Sequence, residues 1–365
     1  MITVILFLAV LAVLVLVHEF GHFYAAKRSG VRVDEFGLGF PPRAWGKKIG
    51  ETVYSLNWIP FGGFVKIFGE TPDDDSIKGH DSSRSFVNKP RWIQVVILAS
   101  GVAMNVVFAW LLFSIAYMSG MTTSVSESNA SYIKDSRVIV LDALPGSPAE
   151  KAGIAQGDQI RSFKAASGAT TTASSVESIQ EAIAGSSGEP VAFEVDRLTE
   201  TAYVEVVPEQ GVLGDKYAIG ISMDLVGSVK LPAHEALWEG AKLTGRMFLG
   251  IVGGIYTLIA DAVMGNGDLS QVSGPVGIAR LVGDAGELGF VYLLSFTAFI
   301  SLNLAVLNLV PFPALDGGRI LFVAIEAVRR KAISPKVANT MNAIGFCILI
   351  LFMLFVTYKD IVKLV

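Results

Sequence analysis

The sequence predicts a polytopic α-helical membrane protein with four transmembrane helices, a membrane-associated β-sheet, and one inserted domain of mixed β/α structure. Three observations predict it. Hydrophobic residues make up 52% of the 365 and charged residues 17%, with a mean hydropathy of +0.54, whereas soluble domains carry about 25% charge. The apolar residues gather into runs at 2–26, 92–118, 290–310 and 340–357, each close to or above the roughly 20 residues that cross a bilayer core. Between Thr122 and Asp224 hydropathy falls and alternating patterns take over. The net charge of −4 argues against a nucleic-acid partner. The one cysteine, Cys347, lies in an apolar run, so the chain has no internal disulfide and no thiolate metal site.

Residues 1–30 hold the first span. No basic segment precedes the apolar run and no small-x-small site closes it, so it reads as a retained helix and not a cleaved signal. Residues 31–91 follow. Within them, 31–70 are rich in glycine, aromatic and β-branched residues and read as a short sheet, either membrane-associated or an ordinary cytoplasmic hairpin. Residues 71–91 are polar and read as a loop, with the aspartates at 73–75 solvated. The second span occupies 92–120 and carries Ser100, Gly101 and Asn105. An asparagine inside a span needs a partner, which is either a helix–helix hydrogen bond or a function. The inserted domain occupies 121–232, with a core at 137–224. Strands are expected at 138–141, from 157, at 191–195, 202–207 and 217–221, and helices near 148–154 and 176–184.

Residues 233–289 begin as an amphipathic helix. The stretch 247–263 is apolar but interrupted by glycines, and 265–289 read as a glycine-rich connection containing Ser273-Gly274-Pro275-Val276-Gly277. The third span and the segment after it take 290–318, a basic loop 319–339, and the fourth span with the C-terminus 340–365. Basic residues mark cytoplasmic loops. That rule puts both termini and the inserted domain outside and the 27–91 and 319–336 segments inside. Were 247–263 a crossing, Asp316 would emerge on the face opposite His22. The stretch is therefore expected to be an amphipathic or re-entrant helix on the outer face.

The chemistry concentrates at His18-Glu19-Phe20-Gly21-His22. Residues four apart share a helix face, so His18 and His22 are spaced to hold one metal ion with Glu19 beside them. Most isolated matches to this pattern mean nothing, but two histidines and a glutamate inside an apolar run demand a role. A catalytic zinc usually takes a third protein ligand. Asp316 is the better candidate, just past a span whose helix Pro311 and Pro313 break and where Gly317 and Gly318 let the chain turn. His80 stays open on sequence grounds. Glu19 would then be the general base.

Three segments resemble the membrane motifs of the site-2 protease family: His18 to His22, Gly101-Val102-Ala103-Met104-Asn105, and Asn308-Leu309-Val310-Pro311-Phe312-Pro313-Ala314-Leu315-Asp316-Gly317. Residues 137–224, with Gly146-Ser147-Pro148-Ala149-Glu150-Lys151-Ala152-Gly153 and Gly157-Asp158, resemble a bacterial PDZ domain, and the 273–277 stretch is similar to the segment before the family's third span. The nearest branch is the bacterial regulator-of-sigma-E protease branch. Its best-known member carries two PDZ domains and this chain has room for one, and Val102 stands where a proline often follows the motif's glycine. The resemblance implies an intramembrane zinc metalloprotease of the bacterial cytoplasmic membrane, with its site toward the cytoplasmic side. It implies Zn2+ on His18, His22 and Asp316, Glu19 as catalytic base, Asn105 holding the substrate strand, and Asn308 as a possible accessory. Its partners would be single-span membrane proteins or signal-peptide remnants, membrane lipid, and a peptide in the PDZ groove. The rival reading is a membrane zinc transporter or sensor that needs no Glu19.

Overall fold

The computed structural model describes residues 2–71, 74–125, 132–164, 168, 170–197, 200–214, 216–265, 273–331 and 333–364. In chain order the helices and strands are α1 (Ile2–Arg28), β1 (Val33–Ile49), β2 (Thr52–Ile67), α2 (Asp74–Lys78), α3 (Arg91–Ser119), β3 (Met121–Ser124), β4 (Ile133–Ala143), α4 (Pro148–Ala152), β5 (Gln159–Lys164), β6 (Thr170–Thr172), α5 (Val176–Gly185), β7 (Val191–Arg197), β8 (Glu200–Val206), β9 (Glu209–Leu213), β10 (Lys216–Ala218), β11 (Ile221–Val229), α6 (Ala233–Val263), α7 (Pro275–Glu287), α8 (Phe290–Leu309), α9 (Asp316–Arg329) and α10 (Pro335–Leu364). The chain divides into two compact units, Met1–Ala116 with Ala233–Val365, and Tyr117–Pro232. Among the described residues five helices are long and apolar enough to cross a membrane: α1, α3, α6, α8 and α10.

The first unit is built along α1. Two apolar clusters sit on it, one on each side of His18–His22. Toward its start, Val10 and Leu14 are buried with Val282 of α7, and Leu293, Phe296, Ile300 and Leu304 of α8 pack against them. Toward its end, Ala25 and Ala26 are buried with Val33, Ile67, Ile97, Leu98 and Val323. Helix α3 runs antiparallel to α1, since His22 meets Ile97 and His18 meets Asn105. Small residues allow the close crossing. A side chain at Gly21 would collide with the Ser100 carbonyl on α3.

Strands β1 and β2 pair antiparallel, Val33 opposite Ile67 and Ile49 opposite Thr52, but with repeated register shifts. Residues 35–38 meet 63–66 on one side and 53–56 on the other, and 53–56 also meet 45–48. Two strands therefore fold into a four-segment sheet whose 63–67 segment is an edge. That edge lies on α1: a Cβ at Gly63 would stand 3.6 Å from Val15 Cγ1 and 3.8 Å from Glu19 Cγ.

Four sequence expectations in this unit are corrected. The 265–289 connection contains a helix, α7, which packs on α1 at Thr3 and Leu6 through Gly283 and Gly286; here glycine serves close packing and does not break the helix. The Asp360 carboxylate on α10 accepts the Gly274 and Gly277 amides at 3.1 and 2.7 Å, satisfying the exposed donors at the start of α7. The 319–339 loop is largely helix α9, because Ile320 and Val323 fall on one face and enter the cluster around Ala25 and Ala26. The polar 71–91 segment holds α2 and two short turns of 3₁₀ helix, Ser82–Arg84 and Phe86–Asn88; of its three aspartates, Asp73 lies outside the described residues. Helix α6 runs unbroken through glycines 245, 250, 253 and 254, so it contains no re-entrant break.

The second unit holds a seven-stranded sheet in the order β3-β11-β4-β5-β7-β8, with β6 on β5, and a separate two-stranded sheet of β9 and β10. Its core joins Val138, Val140, Ile160, Phe163, Val191, Phe193 and Val195 of the sheet to Ile179 and Ile183 of α5. Ser147 and Ser175 cap α4 and α5 by accepting the Glu150 and Ser178 amides. The last strand is longer than its apolar core suggested. Gly220, at φ +77°, separates β10 from β11, and β11 runs on to pair Val229 with Met121. Strands β3, β6 and β9 carry no alternation legible in the sequence; threonines and backbone pairing form them.

Asp158 is buried in this unit. Arg197 grips it through two bonds of 2.7 Å, and the Ala155 amide adds one at 2.9 Å. Burial alone would raise the carboxyl's pKa; the Arg197 hydrogen bonds, the Ala155 amide and the Arg197 charge outweigh it and hold the group below its ordinary range. A folded pKa below the unfolded value of about 3.9 gives stabilisation that is complete above that pH and is lost as pH falls through the folded pKa. Arg197→Ala should destabilise this unit by about 1–2 kcal/mol, allowing for the half-exposed guanidinium. Hydrogen exchange of the β5–β7 amides in the full chain measures it, and the wild type should lose the same protection only below about pH 4.

Candidate metal centre and active site

Three side chains from two distant parts of the sequence meet at the C-terminal half of α1. His18 Nε2 stands 3.0 Å from Asp316 Oδ2, His22 Nε2 stands 3.2 Å from the same oxygen, and the two Nε2 atoms are 3.2 Å apart. The imidazoles meet edge to face at 84°. A tetrahedral ion with bonds of about 2.0–2.1 Å spaces its ligand atoms about 3.4 Å apart. The trio has close to that spacing, and two neutral imidazoles with one carboxylate are a donor set that suits zinc. Each residue is held by its element. One helical turn separates the histidines, and Asp316 opens α9 after the break at 310–315.

The break is tightly made. Ala314 adopts a left-handed backbone at φ +78°, and its amide is donated to Asn342 Oδ1 on α10 at 3.2 Å. A side chain at Gly317 would strike the Leu309 and Val310 carbonyls, and one at Gly318 the Phe312 carbonyl. These glycines let the chain fold back on the end of α8 and so aim Asp316 at α1.

Gly101 has an equally specific reason to be glycine. A Cβ there would lie 2.7 Å from His22 Cε1 and 2.8 Å from His18 Cε1. The imidazoles lie against bare backbone of α3. His22 is further fixed by donating Nδ1–H to the Ile97 carbonyl at 2.8 Å, an acceptor with no signal in the sequence because any residue carries it.

Glu19 and Asn308 share a cavity of about 220 Å³ with Val15, His18, Leu304, Ala314, Leu315 and Asp316. Both are partly exposed, so the cavity joins a carboxylate to the metal-type cluster. Asn105 is fully buried, against His18 at 3.3 Å. His80, the other candidate third ligand, is fully exposed and only 3.7 Å from Asp81; it takes no part in the cluster. Arg319, three residues after Asp316 and so on the same side of α9, pairs with Glu70 at the end of β2. Sequence reasoning passed over both, although that spacing was the available signal.

The chain was compared with known proteins. The family model described as peptidase family M50 matches residues 6–352. A Clostridium perfringens protein that carries a provisional zinc-metalloprotease name is 36% identical over 355 residues, covering 96% of this chain and 95% of that one. The zinc metalloprotease RasP of Geobacillus kaustophilus is 29% identical, covering 99% and 98%, and the regulator of sigma-W protease RasP of Bacillus subtilis is 28% identical, covering 99% of both chains. The match takes in both motif-bearing ends of the chain, the histidine pair and the aspartate that meets it, and this protein belongs to peptidase family M50, the site-2 proteases.

Proposed function

We propose that the chain is a zinc endopeptidase that hydrolyses peptide bonds within the transmembrane segments of single-span membrane proteins or signal-peptide remnants. One observation carries this reading: His18, His22 and Asp316 converge at the C-terminal half of an apolar helix of spanning length, beside a cavity that Glu19 lines. In the proposal His18, His22 and Asp316 hold the metal. A zinc ion bound there supplies Lewis acidity, polarising the scissile carbonyl and acidifying water. Glu19 accepts the proton of the attacking water and delivers it to the leaving amine. Asn308, on the same cavity wall, is the accessory polar group. A helical substrate shields its peptide bonds by internal hydrogen bonding and must unwind locally. The 63–67 sheet edge beside Glu19 is the natural partner for the unwound stretch, by strand addition. This use of the hairpin requires it to lie at membrane depth.

Direction along the site supports four crossings. Residues 293–304 of α8 share a cluster with 6–14 of α1, and 304–316 line one cavity with 15–19. The two helices therefore run the same way and α3 runs oppositely, which leaves an even number of crossings between α3 and α8. Helix α7, at about 20 Å, is too short to span, so α6 would not cross alone and is read as a surface helix. With the basic segments cytoplasmic, both termini and the inserted unit are extracytoplasmic, and the site lies toward the cytoplasmic side of the bacterial membrane. The inserted unit is read as a single PDZ domain. Its groove of about 410 Å³ between α5 and 216–221 would take a peptide over Ile183, Ala218 and Ile219, beneath Glu177 and Glu181. Together with α6 it would admit trimmed substrates and obstruct intact ones.

Two measurements test the centre. Glu19→Gln should lower cleavage of a model transmembrane substrate by about 10²–10⁴-fold with zinc retained; full activity would sink the mechanism and leave the transporter reading, which metal flux in proteoliposomes would then register. Gly101→Ala, which drives a methyl into both imidazoles, should weaken zinc binding by at least about tenfold, measured by chelator competition on the purified full chain.

A further inference from the structure

We infer that Asn105 is a positioning residue for His18, acting through its side-chain carbonyl, and not a group that holds substrate. The inference rests on His18 being a metal ligand. Asn105 is 0% exposed, so no part of its amide faces the cavity where Glu19 and Asn308 stand. Its turn of α3 is tied to α8 by Ser301, whose hydroxyl donates to the Asn105 backbone carbonyl at 2.9 Å.

The protonation of His18 follows from geometry. Nε2 is the atom that converges with His22 Nε2 and Asp316 Oδ2. A neutral imidazole that ligates through Nε2 carries its proton on Nδ1 and must donate it. The atom 3.3 Å from Nδ1 is Asn105 Nδ2, itself a donor. Meanwhile Asn105 Oδ1 is buried with no hydrogen-bond partner. Two donors face each other while an acceptor stands orphaned next to them. A half-turn of the amide, whose oxygen and nitrogen are interchangeable in shape, replaces the donor facing Nδ1 by an acceptor and moves the NH2 to the place Oδ1 held. Nδ1–H of His18 then donates to Oδ1.

In that arrangement the two ligands are served alike. His22 donates Nδ1–H to the Ile97 carbonyl and His18 donates to Asn105, so α3 supplies both outer partners, eight residues apart on one face. Such partners fix the ring and its tautomer and commonly carry about 10- to 100-fold in metal affinity. At 105 the polar group next to Nδ1 is a side-chain amide; at 97 it is a backbone carbonyl, whose oxygen accepts more than one donor and also takes the Ser100 hydroxyl at 2.6 Å.

The test compares Asn105→Ala and Asn105→Asp with the wild type, using the full-length chain in detergent. Zinc affinity is read by chelator competition and cobalt(II) electronic spectra report ligand strength. Asn105→Ala should bind zinc about 10- to 100-fold more weakly. Asn105→Asp keeps the acceptor and removes the NH2 donor; it should hold zinc at least as tightly as the wild type and shift the cobalt d–d bands, since a carboxylate makes His18 the stronger donor. Unchanged zinc affinity in Asn105→Ala, or a cobalt spectrum of Asn105→Asp identical to the wild type, overturns the inference. Should Asn105→Ala fail to fold, the Asn105→Asp spectrum decides alone. Zinc binding that survives His18→Ala in an otherwise wild-type chain would instead refute the ligand reading on which the inference stands.

Discussion

The close crossing of α1 and α3 is the constraint on which the rest depends. Two imidazoles and a carboxylate stand within 3.2 Å of one another in surroundings built mainly of leucine, valine, isoleucine and phenylalanine. Such a cluster is costly unless its members satisfy one another or share a cation. Gly21 and Gly101 let the helix backbones approach until both rings lie against α3. That approach puts the Ile97 carbonyl and the Asn105 side chain within reach of the outer ring nitrogens. A bundle with ordinary spacing would leave those nitrogens without partners. Apolar clusters on either side then clamp α1 around the polar centre, so the position of the polar centre is set by packing it takes no part in.

Asp316 reaches the same point by a different device. It does not sit on a span; it opens a new helix after a break. The break is stabilised from outside its own sequence: Asn342 of α10 receives the Ala314 amide, and Gly345 of α10 allows Pro313 to lie against that helix. A left-handed alanine costs on the order of 1 kcal/mol, which such contacts offset. Helix α10 is mostly exposed and contributes no ligand, yet it borders the centre at the loop that aims Asp316 and anchors α7 through Asp360. Deleting or shifting it would be felt at the metal site through both routes.

How much of this was legible in the sequence depended on the kind of information each feature uses. The histidine pair, Glu19 and Asp316 were readable because titratable groups inside or next to apolar runs have no bland explanation. The long apolar helices α1, α3, α8 and α10 were readable because hydrophobic length is a local property. Helix α7 was not: its glycines at 277, 283 and 286 look like a connection until Thr3 and Leu6 of α1 are seen to need the room. Helix α9 hid behind the basic residues at 319–336, which made the segment look like a loop. The doubled register of β1 and β2 was also invisible, since 53–56 faces two partners and alternation along a strand cannot say how many neighbours it has. Hydrogen-bond acceptors on the backbone, such as Ile97, leave no trace at all.

Asn105 shows most clearly what residue identity alone leaves open. The sequence established that a polar group in a span needs a partner, and allowed either a helix–helix bond or a role at the site. Burial decides between the two directions the side chain could serve. A group that grips substrate must present a face to the cavity, as Glu19 and Asn308 do. A group that orients a ligand must instead be shielded, because water would compete for its acceptor. Complete burial, an acceptor otherwise without a partner, and contact with the outer nitrogen of His18 all belong to the second case. The asparagine is then a helix–helix hydrogen bond and a part of the proposed centre at once, because the residue it meets on the neighbouring helix is one of the three that converge there.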